Sequence, residues 1–319
     1  MTASPLDQAA RLRSLFSGAA VAETSVPRAA VSLAPVPVGP AQPMLTIASG
    51  KGGVGKTTLA VNTAIALARL GCRPTLLDAD IGTANADVLC GITPERRLDA
   101  LFNRRTHDER APSVAVQAPG GFTLVPGAVG LTRLASLDAS RRDLVLRGLA
   151  RLEALTDLFL IDAGAGGGPD VQLFFEASDA TVLVVTPEPT SVADAYALLK
   201  SVYLREAKSR SDEPRRTASE HGALPRWWIV VNQARHEAEA RDTHARLATC
   251  AQRFLGLRVP MLGWLHADKR VAQAVRSRSP FALSARSSRP SREIHTLARS
   301  VLRLGRCLSS DPAQPNQTH

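Results

Sequence analysis

The sequence predicts a doubly wound α/β fold with a mostly parallel β-sheet. From Met44 onwards, apolar runs of strand length alternate with amphipathic stretches of helical spacing, which is typical of repeated βαβ units. A glycine-rich loop separates the first such run from the first helix. Two later runs end in carboxylates, at Asp78 and Asp162. Because parallel strands end at one edge of a sheet, the loop and these carboxylates are expected to meet there.

Length and composition fit one large domain with tails. The chain has 319 residues, of which 45% are hydrophobic. No window reaches the roughly 20 uninterrupted apolar residues of a spanning helix, and the N-terminus lacks a signal-peptide pattern, so a cytoplasmic protein is expected. The net charge of +10 fits contact with nucleic acid, anionic lipid or an acidic protein, and equally a solvated basic surface. The four cysteines form no C-x-x-C pair and are expected to be reduced thiols.

The apolar runs and helical stretches give the expected elements. Strands are expected at 44–49, 74–78, 122–125, 157–162, 180–186, 227–232 and 259–264. Helices are expected at 56–70, 140–155, 189–206, 239–254 and 292–307. The polar stretch 207–225 contains two prolines and is expected to be a surface insertion.

The N-terminal part has a different composition. Residues 5–16 carry apolar groups at helical spacing, and residues 17–43 are rich in alanine and proline, as a flexible or partly extended tether would be. We therefore expect an N-terminal helix within 1–16, a linker at 17–43, a nucleotide-binding domain at 44–308 and a polar tail at 309–319.

The glycine-rich loop matches the phosphate-binding pattern G-x-x-x-x-G-K-[ST] in the required place, after a strand and before a helix. Its glycines let backbone N–H groups converge on phosphate oxygens, Lys56 supplies a cation to them, and the Thr57 hydroxyl is a magnesium ligand. The predicted nucleotide-binding residues are Gly50, Lys51, Gly52, Gly53, Val54, Gly55, Lys56, Thr57 and Thr58.

The carboxylates complete the predicted site. Asp78 and Asp80 follow the second strand, where they suit magnesium and water. Asp162 ends a buried strand, an arrangement that reaches magnesium through water and senses the γ-phosphate. Flexible switch loops are expected beside them, at Gly82 and at Gly164 and Gly166.

The loop resembles a known family. Lys-Gly-Gly-Val-Gly-Lys-Thr-Thr at 51–58 is similar to the deviant phosphate loop of the MinD/ParA ATPases, a SIMIBI-class group. The resemblance implies an ATPase that binds ATP and Mg²⁺ and dimerises around nucleotide, with Lys51 reaching the partner's phosphates. It also implies that Asp78 joins the magnesium shell and Asp80 orients the attacking water. Lys51, Lys56 and Asp80 are thus the expected catalytic residues, and Thr57, Asp78 and Asp162 the expected metal site.

The base-binding position points to adenine. Asn232 resembles the family position that reads the purine. The run from Asn232 to Arg235 lacks the aspartate with which N-K-x-D GTPases hold guanine, so ATP is preferred over GTP.

Further stretches resemble the FlhG/FleN branch of the family, which regulates flagellar placement and number. They lie at 78–87, 124–127, 162–166, 186–199 and 271–281. The N-terminal run Asp7-Gln8-Ala9-Ala10-Arg11-Leu12-Arg13 is similar to the D-Q-A-x-x-L-R helix of that branch. The resemblance implies that this helix stimulates an FlhF-type GTPase, with Asp7, Gln8, Ala9, Leu12 and Arg13 as contact residues. Thr83, where the branch usually has leucine, and the pair Gly167-Gly168 depart from the pattern.

Three alternatives remain open from the sequence. Residues 292–308 are amphipathic and fit either a peripheral membrane contact or the last core helix. A ParA-like partition ATPase that binds DNA nonspecifically is an alternative function, which the early D-Q-A helix disfavours. An iron–sulfur carrier of the nitrogenase-reductase type would need paired cysteines presented across a dimer, for which the four scattered cysteines are poor candidates.

Overall fold

The computed structural model describes residues 42–80, 83–98, 100, 114–128, 152, 155–209 and 226–309. Several expectations fall outside these residues: the N-terminal helix with its contact residues Asp7, Gln8, Ala9, Leu12 and Arg13, nearly all of the linker, the switch glycine Gly82, most of the helix at 140–155 and most of the insertion and tail.

Eight strands form one sheet among the described residues. They are β1 (Met44–Ser49), β2 (Pro74–Ala79), β3 (Val116–Ala118), β4 (Phe122–Val125), β5 (Leu158–Ala165), β6 (Ala180–Val185), β7 (Trp227–Ala234) and β8 (Met261–His266). Their order is β3-β4-β2-β5-β1-β6-β7-β8, and every neighbouring pair is parallel except β3 and β4. The predicted doubly wound, mostly parallel fold is confirmed.

The described helices are α1 (Lys56–Arg69), α2 (Ala86–Cys90), α3 (Pro169–Ala177), α4 (Pro189–Ser209), α5 (Glu237–Leu255), α6 (Lys269–Arg276), α7 (Phe281–Ser284) and α8 (Arg289–Ser309). The predicted helices at 56–70, 189–206, 239–254 and 292–307 are present with ends shifted by a few residues. Two boundaries need correction: α4 extends to Ser209, into the expected insertion, and β5 extends to Ala165, so Gly164 lies in a strand rather than in a loop.

Alternate residues along the central strands point to opposite faces of the sheet, as the period of two in a strand requires. On one face, Leu45 and Ile47 of β1 pack in a cluster that contains the buried sides of α1 and α8. On the other face, Ala48 packs in a cluster with residues of α4 and α5. The strands are therefore buried on both sides, as in sheets built from βαβ crossovers.

Helix α8 uses its apolar face inside the protein. Ile294, Leu297, Val301 and Leu304 are buried and pack in the same cluster as α1. This burial favours the core-helix alternative for residues 292–308, because membrane contact through the same face would require the helix to leave the domain. In the part of the chain that the structure describes, no helix is long and apolar enough to cross a membrane.

Candidate functional site

The loop between β1 and α1 has the geometry of a phosphate cradle. Gly53 and Gly55 adopt left-handed backbone angles, with φ of 81° and 89°. Such angles turn successive N–H groups towards one side, and glycine adopts them without steric cost. Gly55 is the N-cap of α1, so the positive end of the helix dipole lies at the loop.

Gly50 is required by a close approach of helix α4. A Cβ atom at this position would lie 2.2 Å from the carbonyl carbon of Asp194 and 2.5 Å from the nitrogen of Ala195. No side chain fits there, so the first glycine of the pattern seats the loop against α4.

The two loop lysines have different surroundings. Lys56 is 7% exposed at the start of α1. The side chain of Lys51 is 32% exposed, and its Nζ donates to Glu188 Oε2 at 2.5 Å and to the Thr190 hydroxyl at 3.1 Å. Lys56 thus lies inside the cradle, whereas Lys51 lies at its rim against the start of α4.

Asp162 is a fully buried carboxylate beside the loop. Among the described residues, neither of its oxygens has a hydrogen bond of normal geometry. Burial, followed by the nearby Asp78 carboxylate, raises its pKa to about 8, although the Thr57 hydroxyl and the Lys56 charge act in the opposite direction. A buried carboxylate without a regular hydrogen bond fits a cation, because the cation offsets the cost of burying the charge.

The donor set fits magnesium held together with a nucleotide. No group of three His, Cys, Asp or Glu residues suited to a metal occurs in the described part of the chain. Mg²⁺ characteristically uses one or two carboxylates together with substrate phosphates and water. Thr57 and Asp162 are the side chains that would hold it.

Asp78 and Asp162 occupy opposite positions on the adjacent strands β2 and β5. Asp78 is completely buried and accepts backbone N–H groups from Asp80 at 3.2 Å and from Asn85 and Ala86, both at 2.9 Å. Burial raises its pKa to about 6 in spite of these bonds. Asp78 therefore fixes the chain on both sides of Ile81 and Gly82, and its direct contact with magnesium stays a prediction.

Asp80 stands at the edge of the same site. Its Oδ1 accepts a hydrogen bond of 2.6 Å from the Thr83 hydroxyl, and a Cβ atom at Gly164 would lie 3.2 Å from that oxygen. Gly166 follows the end of β5, and its N–H donates to the carbonyl of Ser49, the last residue of β1, at 2.9 Å. The structure brings Asp80 and Gly164 together.

A cleft of about 640 Å³ extends from the loop towards the ends of β7 and β8. Gly53, Gly55 and Thr58 line it together with Asn232, Gln233 and His266. The Asn232 amide donates to the Val54 carbonyl at 2.8 Å, so it joins β7 to the phosphate loop. The volume lies in the range of small-molecule sites.

The sequence assigned no role to four participants in this site, Glu188, Thr190, His266 and Thr83. Glu188 and Thr190 lie in the stretch 186–199 that carried the family resemblance, but their contact with Lys51 depends on folding. His266 gave no local signal, because its partners are on another element. Thr83 stood out only as a departure from the family pattern.

Comparisons with known proteins agree with this geometry. Residues 45–281 match the family of the CobQ/CobB/MinD/ParA nucleotide binding domain. The antiactivator FleN of Pseudomonas aeruginosa is 35% identical over 232 residues, covering 73% of this chain and 76% of that protein. The flagellum site-determining protein YlxH of Helicobacter pylori is 30% identical over 237 residues, covering 73% of each.

Solved structures show the same fold. The MinD cell division protein in the MinC:MinD complex of Aquifex aeolicus has a TM-score of 0.60 at 23% identity, covering 86% of this chain and 99% of that chain. MinD of Pyrococcus horikoshii, solved with Mg-ADP, has a TM-score of 0.60 at 20% identity. The match covers 84% of this chain and 98% of that chain.

The matched family and the intact loop identify the chemistry of the site. The chain is a phosphate-loop ATPase with ATP and Mg²⁺ as its cofactors. The chain therefore belongs to the MinD/ParA family, in the branch that contains FleN and YlxH.

Proposed function

We propose that this ATPase is a dimerising switch, slow in hydrolysis, that regulates flagellar number or placement. The name of YlxH, a flagellum site-determining protein, supports the flagellar role, and that of FleN, an antiactivator, supports a regulatory one. The proposal of a dimer depends on the different exposure of the two loop lysines. Lys56 is enclosed by its own domain, whereas Lys51 lies at the rim, where a second copy of the chain has access to it.

The residues of the site divide the work between binding and positioning. Lys56 and the loop N–H groups hold the β- and γ-phosphates, and Lys51 of each protomer neutralises phosphate charge on its partner. Mg²⁺, when bound, neutralises charge that develops on the phosphates, and Thr57 and Asp162 hold it. Asp80 positions the attacking water, while Asp78 keeps the loop that carries Asp80 in place.

Light scattering after size-exclusion chromatography, with ATP and Mg²⁺, tests the dimer. We expect Asp80→Ala to accumulate as a dimer because hydrolysis no longer dissolves it, and Lys51→Ala to stay monomeric while still binding ATP. Lys200→Ala, which removes an exposed lysine from α4, is the matched control and should behave as the wild type. A monomer for Asp80→Ala at saturating ATP would contradict the switch.

The N-terminal helix is proposed as the effector that stimulates an FlhF-type GTPase, a role that rests on the resemblance of residues 7–13. The test is the GTPase rate of an FlhF-type protein from the same organism with the full chain. Leu12→Glu, on the apolar side of the expected helix, should abolish stimulation, while Ser14→Glu adds the same charge at a polar position and should retain it. Equal stimulation by both variants would refute the effector role.

The net charge of +10 is compatible with one second candidate, a ParA-like partition ATPase whose ATP-bound dimer binds DNA nonspecifically. Its mark would be ATP-dependent retention on DNA that weakens steeply with salt, because released counterions drive such binding. Retention that is equal with and without ATP would count against it.

A further inference from the structure

The wall of the nucleotide cleft that lies outside the phosphate loop contains a histidine with a partner on each ring nitrogen. His266 is the last residue of β8, is 9% exposed and lines the cleft beside Asn232 and Gln233. Its ring lies against Trp264, with centroids 4.2 Å apart. The ring therefore has a fixed place in the part of the cleft wall that the phosphate loop does not form.

Glu293, in the first turns of α8, holds both the backbone and the ring of this histidine. Its Oε2 accepts the His266 backbone N–H at 3.0 Å, and its Oε1 lies 2.5 Å from the ring Nδ1. Two contacts from one carboxylate fix both the end of β8 and the rotation of the ring.

Arg289 closes this cluster from the same helix. Its Nη2 contacts the His266 Nε2, and its Nε donates to Glu293 Oε1 at 3.0 Å. Arginine is always protonated and only donates, so Nε2 must accept. The proton of a neutral ring then resides on Nδ1 and is donated to Glu293, which defines the tautomer from its partners.

We propose that His266 is a specificity-determining residue that packs against the purine base of the bound nucleotide, and that Arg289 and Glu293 are positioning residues that hold it in the neutral Nδ1–H form. The cluster links the cleft wall at the end of β8 to the first turns of α8. This inference rests on the proposed nucleotide switch and adds the group that contacts the base.

Two ligands that differ by the nucleoside separate this role from a structural one. ADP with Mg²⁺ carries the base that His266 is proposed to contact, whereas inorganic pyrophosphate with Mg²⁺ offers only the groups that the phosphate loop binds. Their dissociation constants are measured by calorimetry, or by displacement of a fluorescent ADP, for the full chain and its variants.

We expect His266→Ala to weaken ADP binding about three- to tenfold, the equivalent of one aromatic contact, and to leave pyrophosphate binding unchanged. The KM for ATP should rise by the same factor with an unchanged kcat. Arg289→Ala should act in the same direction. Arg289→Lys, which still offers a donor to Nε2, should restore the affinity, and Arg299→Ala, an equal loss of charge from the exposed side of α8, should have no effect.

A spectroscopic readout tests the positioning residues. With ¹⁵N-labelled histidine, the full chain without nucleotide should show His266 as the Nδ1–H tautomer, and Arg289→Ala should shift it towards a mixture. An Nε2–H tautomer in the wild type would overturn the positioning roles.

The remaining outcomes are distinct. An equal loss of ADP and pyrophosphate binding, or no loss at all in His266→Ala, would overturn the base contact and leave the proposed switch standing. A wild-type chain that binds pyrophosphate but no ADP would overturn both the contact and the switch.

Discussion

Lys51 of the phosphate loop forms an ion pair with Glu188 at the start of α4, with Nζ and Oε2 2.5 Å apart. The two residues are 137 positions apart in the chain, and both side chains have access to solvent. If Lys51 serves the partner's nucleotide, it must exchange Glu188 for phosphate when the dimer forms. The pair within one chain therefore competes with dimerisation.

Glu188→Gln should strengthen the ATP-dependent dimer because it weakens this competing pair. An exposed ion pair is worth about 0.2–1 kcal/mol, and two such pairs open in each dimer, so the dimer dissociation constant should fall about two- to thirtyfold. Sedimentation velocity over a concentration series with ATP and Mg²⁺ gives this constant. Glu237→Gln, which weakens the exposed pair with Arg241 on α5, is the matched control. A weaker dimer in Glu188→Gln would instead assign Glu188 to the dimer interface.

Substitution by alanine should destabilise the protein at one glycine of the loop and have little effect at another. At Gly50 a Cβ atom meets the backbone of α4 at 2.2 Å, whereas at Gly52 nothing lies within 4 Å. Gly50→Ala should lower the free energy of unfolding by about 1–3 kcal/mol or more, as overpacking does, because the obstacle is backbone. Gly52→Ala should change it by less than about 0.5 kcal/mol, the range of ordinary surface substitutions. Urea unfolding without nucleotide measures both, and equal values would refute the close approach of α4.

The sequence was enough to predict the site residues that follow a strand directly, but not the shorter elements around them. The phosphate loop and Asp78 were predictable because each follows an apolar strand, and the ends of parallel strands share one edge of the sheet. Strand β3 was missed because it has three residues, too few for a period to appear. Helix α3, a single stretch of nine residues after Pro169, was missed for a related reason.

Contacts between distant segments could not be predicted at all. The partners of Lys51 and of His266 lie on helices, or just before one, that only the fold brings near. No pattern in a short window records such a pair. The positions where the sequence departs from its family, as at Thr83, were the only indication of chain-specific contacts.

Asp162 should make the nucleotide-free protein less stable as the pH rises. Its pKa is raised from 3.8 to about 8 in the folded chain, so the folded state binds this proton more tightly than the unfolded state does. Stability is therefore greatest below the unfolded value and is lost as pH rises through the window up to about 8. The pKa of Asp78 is raised to about 6, so Asp78 also lowers the stability as the pH rises, but over a lower pH range.

Asp162→Asn removes this titration, and the difference should be clearest between pH 6 and pH 8. Over this interval the wild type should lose about 2–3 kcal/mol more than the variant, since one pKa unit corresponds to 1.36 kcal/mol. Unfolding by urea in EDTA gives both curves. Mg²⁺ with ADP should stabilise the wild type more than Asp162→Asn. Parallel pH curves would show that Asp162 is not a buried acid with a raised pKa.

Thr83 restrains the carboxylate that is proposed to position the attacking water. Its hydroxyl donates to Asp80 Oδ1 at 2.6 Å, and this oxygen faces Gly164 of the neighbouring strand. Asp80 must give up this bond before both of its oxygens are available to water. A hydrogen bond to a charged group is worth about 1.5–3 kcal/mol. If Asp80 loses part of this free energy when it reaches the reactive arrangement, that part adds to the activation barrier and slows hydrolysis.

Thr83→Val should therefore raise the kcat for ATP hydrolysis about two- to fivefold with little change in KM, which corresponds to about 0.4–1 kcal/mol of the bond. Thr83→Ser keeps the hydroxyl and should behave as the wild type. The rates are compared at saturating ATP and at a protein concentration where light scattering shows the same fraction of dimer, because a change in dimerisation would also alter the rate. If Thr83→Val slows hydrolysis at equal dimer content, the hydroxyl holds Asp80 in its reactive position, and the bond belongs to the active arrangement of the loop.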